Sequence, residues 1–175
     1  MFSDSFIITG PKRAGKSTLC WHLLKYIRKQ AVVTAGGVIT LQNQKRYFYL
    51  ISENIKLPFQ SLNDEELIKI GQYKIHKINL KLAVDSIWKG IKSDILFIDE
   101  IGILELQEKG YHPVLETAIS RVKSNILVVR ESILNEFIKR YPQARDYEVV
   151  EVIDQEILTP FNIIKNYINN LAKHY

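Results

Sequence analysis

Gly10-Pro11-Lys12-Arg13-Ala14-Gly15-Lys16-Ser17, with Thr18 next, fits the G-x-x-x-x-G-K-S/T pattern of a phosphate-binding loop. Its flanks fit as well. Ser5-Phe6-Ile7-Ile8-Thr9 enters it as a short apolar strand, and Leu19, Leu23, Leu24 and Ile27 leave it at helical spacing. Gly10 and Gly15 let the backbone curl close to a phosphate. The loop N–H groups form an anion-binding nest, and the helix starting near Lys16 adds the positive end of its dipole. Lys16 is expected to reach the β- and γ-phosphates, and the Ser17 hydroxyl to ligate Mg2+. The whole run Gly10, Pro11, Lys12, Arg13, Ala14, Gly15, Lys16, Ser17 and Thr18 is the expected nucleotide-binding segment. The bland alternative is a glycine turn that happens to carry a lysine.

The second landmark is Asp94-Ile95-Leu96-Phe97-Ile98-Asp99-Glu100. Four successive apolar residues predict a strand buried on both faces, as in a parallel sheet. A similar run, Ile126-Leu127-Val128-Val129, ends at Arg130. Open α/β sheets bind ligands beyond the carboxyl ends of their strands. If the three buried strands are parallel neighbours, the loop, Asp99-Glu100 and Arg130 meet at one edge. Asp99 then stands where a carboxylate holds Mg2+, directly or through water, and Glu100 where one orients and deprotonates a water. The competing roles are a solvated strand end for Asp99 and a structural salt bridge for Glu100. Arg130 is the first candidate for the cation that meets charge developing on a transferring phosphoryl group, and Arg13 the second. The opposing reading for each is a surface or carboxylate-paired arginine. Glu105 either pairs with an arginine or sits near the metal.

Elsewhere, 31–34 reads as a short strand broken by Ala35-Gly36-Gly37, and 38–41 with 46–51 as a hairpin around a 42–45 loop. Tyr47 and Tyr49 share a face there and either pack on the sheet or stack on a base. Residues 52–70 read as loop with a short helix, and 71–75 as a strand. Asn79 is the expected cap of a helix that turns Leu80, Ala83, Val84, Ile87 and Trp88 inward and ends at Gly90. Further helices are expected from Pro113, from a Ser132 cap and from Pro160, with a last strand over 147–153. Strands alternating with helices predict a three-layer α/β fold with a mostly parallel central sheet and an inserted β-hairpin. Without a linker or repeat, residues 1–175 read as one domain.

At 175 residues and 46% hydrophobic, the chain is long and apolar enough for a core. Its formal charge is +5 and its pI about 9.2, which suits a polyanionic ligand such as ATP or GTP. The basic residues are scattered, and no motif supports nucleic acid. No apolar run approaches the roughly 18 residues of a membrane span. The one cysteine, Cys20, excludes an internal disulfide and reads as a packed side chain, so a cytoplasmic protein is expected; a monomer is expected as well. His22, His76, His112 and His174 lack ligand spacing, so no transition-metal site is expected beside the Mg2+ of the phosphate loop.

Taken together, the chain resembles the thermophile-type nucleoside-triphosphate phosphatase family, which includes cancer-related nucleoside-triphosphatase. Asp99-Glu100-Ile101-Gly102-Ile103-Leu104-Glu105-Leu106 resembles that family's D-E-I-G-x-M/L-E-L block. Gly36-Gly37-Val38-Ile39-Thr40, Gly71-Gln72-Tyr73 and the apolar strand before Arg130 follow in the family's order, and the likeness covers residues 5 to about 140. It implies a P-loop NTPase fold that hydrolyses nucleoside triphosphates to diphosphates with Mg2+ and little base selectivity. It carries over Lys16, Ser17, Asp99 and Glu100 by motif. The family loop is usually small and apolar between its glycines, whereas this one holds Lys12-Arg13. Two other readings compete: a nucleotide or small-molecule kinase on the same fold, and a partner-regulated ATPase switch.

Overall fold

The computed structural model describes residues 4–60, 67–70 and 73–174. The first half runs β1 (Phe6–Thr9), α1 (Lys16–Gln30), β2 (Ala35–Gln42), β3 (Arg46–Leu50), β4 (Ile55–Pro58), β5 (Leu67–Ile70), β6 (Tyr73–His76) and α2 (Lys77–Gly90). The second runs β7 (Ile95–Ile101), α3 (Ile103–Leu106), α4 (His112–Arg121), β8 (Ser124–Val129), α5 (Leu134–Arg140), β9 (Glu148–Glu151) and α6 (Leu158–Ala172). The main sheet has seven strands in the order β4-β3-β2-β7-β8-β1-β9, and β5-β6 form a separate two-stranded sheet. Strands β2, β7, β8, β1 and β9 are parallel to one another, while β3 and β4 add antiparallel strands beyond β2 at one edge.

The layers follow from which side chains point each way. Period-two alternation sends Phe6 and Ile8 of β1 to one face and Ile7 to the other. On the first face, Leu19, Leu23, Leu24 and Ile27 of α1 and Ile164, Ile168 and Leu171 of α6 close the core. On the second, Ala83 and Ile87 of α2, Val114, Leu115 and Ala118 of α4 and Phe137 of α5 close it. A sheet covered on both faces accounts for the unbroken apolar runs of β7 and β8.

The structure departs from the sequence-based expectations at several points. Residues 31–34 are not a strand, and Val32 is 46% exposed. The glycines expected to break the pattern lie within β2, because α2 presses directly on it. A Cβ on Gly36 would sit 2.5 Å from the Gly90 Cα, and one on Gly90 2.5 Å from the Gly37 nitrogen. That contact fixes the roll of α2, which buries Leu80, Ala83, Ile87 and Gly90 and leaves Trp88 43% exposed. Its N-cap is His76, whose Nδ1 accepts the Asn79 N–H, while Asn79 Nδ2 donates to the Pro58 carbonyl. The 52–70 stretch holds β4 and β5; Gly71 and Gln72 lie outside the described residues. The hairpin is β2-β3, part of the main sheet, with Gln42 opposite Arg46. Ser132 lies in a 3-10 turn, Glu131–Ile133, before α5 rather than capping it. The last strand is shorter than expected, Glu148–Glu151.

Candidate active site

β1, β8 and β7 lie side by side and parallel, so their carboxyl ends form one rim. The 10–15 loop leaves β1 there and packs against residues 152–157, which follow the edge strand β9. Gly10, at φ 131, packs so tightly under β9 that a Cβ would fall 2.1 Å from the Val152 carbonyl oxygen. Gly10→Ala is therefore expected to destabilise the fold by about 3–5 kcal/mol, read as a fall in Tm of about 6–20 °C. A melting curve overlying the parent's would mean the loop does not sit as described. Gly15, at φ 105, caps α1, whose first turn carries no acidic residue. Arg13 is also left-handed at φ 64. Lys16 Nζ donates to the Gly10 and Pro11 carbonyls at 2.7 and 2.5 Å. Its pKa lies below the ordinary lysine value, chiefly because it is partly buried, against the opposing pull of Glu100 and Asp99.

Asp99 is 1% exposed. Its Oδ2 accepts the Thr40 N–H of the neighbouring β2 at 2.9 Å, and the nearby Ser17 hydroxyl favours the charged carboxylate. Oδ1 is buried without a hydrogen-bond partner. Burial, then the charge of Glu100, pushes the carboxyl up to about 7. An orphaned carboxylate oxygen beside the first hydroxyl of a phosphate loop fits a hard divalent cation whose other ligands come from phosphate and water. Ser17 and Asp99 are the residues that would hold it. Among the described residues no cluster of three or more His, Cys, Asp or Glu forms a protein-only metal cage.

Glu100 reaches the cleft because β7 carries an extra residue. The register with β8 shifts between Ile98 and Ile101, opposite Leu127 and Val129, and Glu100 takes up φ 72. A bulge re-aims a side chain, and a left-handed glutamate is strain concentrated at a site. Its Oε1 pairs with Arg46 of β3, and its Oε2 lies 3.7 Å from Arg130 Nη2. The Arg46 guanidinium lies 4.6 Å over the Phe59 ring, which fixes it in turn. Arg130 stands at the end of β8, as its position predicted, and packs against Gly102.

Glu105 has a different place from either expectation. It is buried, and its carboxylate accepts the Gly102 N–H at 2.7 Å and the Tyr111 N–H at 2.9 Å. It ties down the turn after β7, and burial raises its pKa to about 6. Cys20 is a buried free thiol, raised well above its usual pKa by burial, so it packs rather than reacts. Tyr49 packs edge-on against Trp21, and Tyr47 lies under Lys56.

The loop, Glu100, Arg130 and the β2-β3 tip line one open cleft of about 1600 Å³. Lys16, Ser17, Glu100 and Arg130 thus meet, with Asp99 buried beneath them. Arg46 is the site residue the sequence did not mark. It reads as one more charge on a hairpin, and only the fold of that hairpin over the rim brings it to Glu100.

A family model described as NTPase matches residues 5–166. The match runs past about residue 140, where the likeness read from sequence ended. Nucleoside-triphosphatase THEP1 of Methanocaldococcus jannaschii is 28% identical over 138 residues, 74% of this chain and 80% of that protein. Nucleoside-triphosphatase THEP1 of Methanopyrus kandleri is 24% identical over 134 residues, 71% of this chain and 72% of that one. Among solved structures, a human cancer-related nucleoside triphosphatase superposes with a TM-score of 0.72 at 17% identity, covering 96% of this chain and 98% of its own. THEP1 from Aquifex aeolicus gives 0.70 at 19% identity, covering 91% and 96%. Both structural likenesses are likenesses of fold. Among the described residues no helix is long and apolar enough to cross a membrane.

Proposed function

Since this chain belongs to the NTPase family, and is thereby a nucleoside-triphosphatase, we propose that it cleaves the terminal phosphate from nucleoside triphosphates with Mg2+ and little regard for the base. The observation that carries the reading is the β7 bulge, which turns Glu100 out of the strand and into the cleft of the phosphate loop.

In this mechanism the loop N–H groups and the α1 N-terminus hold the β- and γ-phosphates. Lys16 moves from the Gly10 and Pro11 carbonyls to bridge phosphate oxygens. Ser17 and Asp99 would hold Mg2+, which would supply positive charge to offset that of the triphosphate. Glu100 orients a water and takes its proton as the new O–P bond forms. The bond from the γ-phosphorus to the bridging oxygen breaks, and its electrons leave on the diphosphate. Arg46, braced on Phe59, holds one oxygen of Glu100 and so fixes where the other points. Arg130 is within reach of that second oxygen and of the cleft, placed to meet charge developing on the γ-phosphoryl group.

The test is phosphate release from ATP, GTP, CTP and UTP, with and without Mg2+, on the parent and on Lys16→Ala. The parent is expected to turn over all four at similar rates and only with the metal. Saturating Mg–ATP should also stabilise it, by about 2.7 kcal/mol at a hundredfold excess over Kd, and Lys16→Ala should lose both turnover and most of that shift. A strong preference for one base overturns the broad substrate range. An equal melting shift in Lys16→Ala removes the phosphate loop from the mechanism.

A further inference from the structure

The cleft is larger and more basic than one nucleoside triphosphate requires. Its volume of about 1600 Å³ exceeds the roughly 300–1,000 Å³ of a site for one small molecule. One wall is the phosphate loop with Arg130. The other is the β2-β3 tip and β4, with Gln42, Lys45, Arg46, Tyr47 and Lys56 facing the same space.

Charge divides between the two walls. Among the described residues, seven Lys and Arg side chains line the cleft against two carboxylates, Glu100 and Glu131, a surplus of five. The whole chain carries +5. The described lining thus carries a cationic excess as large as that of the whole chain. Lys12, Arg13, Lys16 and Arg130 flank the triphosphate position, and the three other cations stand on the opposite wall. That wall also carries an aromatic surface. The half-buried Tyr47 ring has the Lys56 ammonium 5.1 Å from its centre. An aromatic face beside ammonium groups suits a ligand that joins a planar base to a phosphate.

We propose that the hairpin wall of this cleft is a binding site for a nucleoside monophosphate, held at the same time as the triphosphate on the loop. Tyr47 takes the base, and Lys45 and Lys56 take the phosphate. The proposal rests on the triphosphatase reading for the occupant of the loop, and it adds a second occupant.

The experiment saturates the full chain with Mg2+ and a non-hydrolysable triphosphate analogue, then titrates AMP, GMP, CMP and UMP by calorimetry at low and high salt. At least one monophosphate is expected to bind the saturated protein, more weakly at high salt, while the matching nucleoside without phosphate does not bind. A Lys45→Ala/Lys56→Ala double variant should weaken that binding by about tenfold or more, and Tyr47→Leu by about fivefold or more. The double variant should keep its basal triphosphate hydrolysis. The proposal is overturned if no monophosphate binds the saturated protein, if the triphosphate analogue competes monophosphate away, or if the lysine variant binds as the parent does. Binding of a short single strand without binding of any monophosphate also overturns it, and gives the wall to nucleic acid. Failure of the triphosphatase reading is a separate result, seen as no phosphate release by the parent.

Discussion

Glu100→Gln is expected to bind Mg–nucleoside triphosphate with nearly the parental affinity and to lose about 10²–10⁴ in kcat. The amide is close to isosteric with the carboxylate, so the bulge and the packing beneath it persist. It cannot accept a proton from water at neutral pH. It also weakens the pairing to Arg46, whose guanidinium stays braced on Phe59. Single-turnover kinetics together with a nucleotide titration separate the two effects. A fall in affinity with kcat intact would make Glu100 a ground-state contact. Turnover at the parental rate would make it structural, held by its two arginines, and another group would have to position the water.

Asp99→Asn should lose metal-dependent turnover yet, without divalent cation, melt higher than the parent at pH 8. The sign follows from the proton. The Asp99 carboxyl, raised from 3.8 to about 7, holds its proton more tightly in the fold than in the unfolded chain. Its contribution to stability is complete below about pH 4 and is lost as pH rises through 7. Above that, the fold contains a buried charge with one oxygen unpartnered. Asparagine carries no charge, can accept from Thr40 N–H and can donate to Ser17. The gain at pH 8 is on the order of 2–4 kcal/mol, with about 1.4 kcal/mol for each pKa unit. Glu105, raised to about 6, makes both proteins lose stability as pH rises, so the informative quantity is the difference between their Tm values from pH 5 to 8. A difference that stays flat across that range would mean Asp99 is not charged at a cost. Mg–ADP should stabilise the parent and leave the variant nearly unmoved.

The phosphate loop and the rim were legible because their signals are local. A glycine pattern between strand and helix, and apolar runs ending in Asp99-Glu100 and Arg130, need no knowledge of distant residues. What escaped depends on long-range packing. Gly36-Gly37 reads as a break until Gly90 is placed against it. β4 carries a mixed pattern because it is an edge strand, paired in the sheet with β3. Nothing between Asp99 and Glu100 announces an extra residue relative to β8, since register belongs to the pair of strands. Glu105 looked like a free carboxylate until the Gly102 and Tyr111 amides were seen to claim it. Arg46 is invisible for the same reason, and it is the residue that ties the hairpin to the proposed chemistry.

β1 lies in the sheet between β8 and β9, and this has a consequence for how the molecule is made. The strand that leads into the phosphate loop is synthesised well before its two partners, β8 and β9. Gly10 finds its support at Val152, so the loop has no bed until Val152 has emerged, more than 140 residues later. Contacts of this sequence separation close slowly, because the entropy of the long intervening loop is lost before the pairing compensates it. The β2-β3-β4 meander and its α2 cover join residues near in sequence and can form early. During synthesis the hairpin wall is therefore in place well before the nucleotide-binding loop it faces. A nascent or truncated chain ending before β9 would carry the full motif and hold no nucleotide.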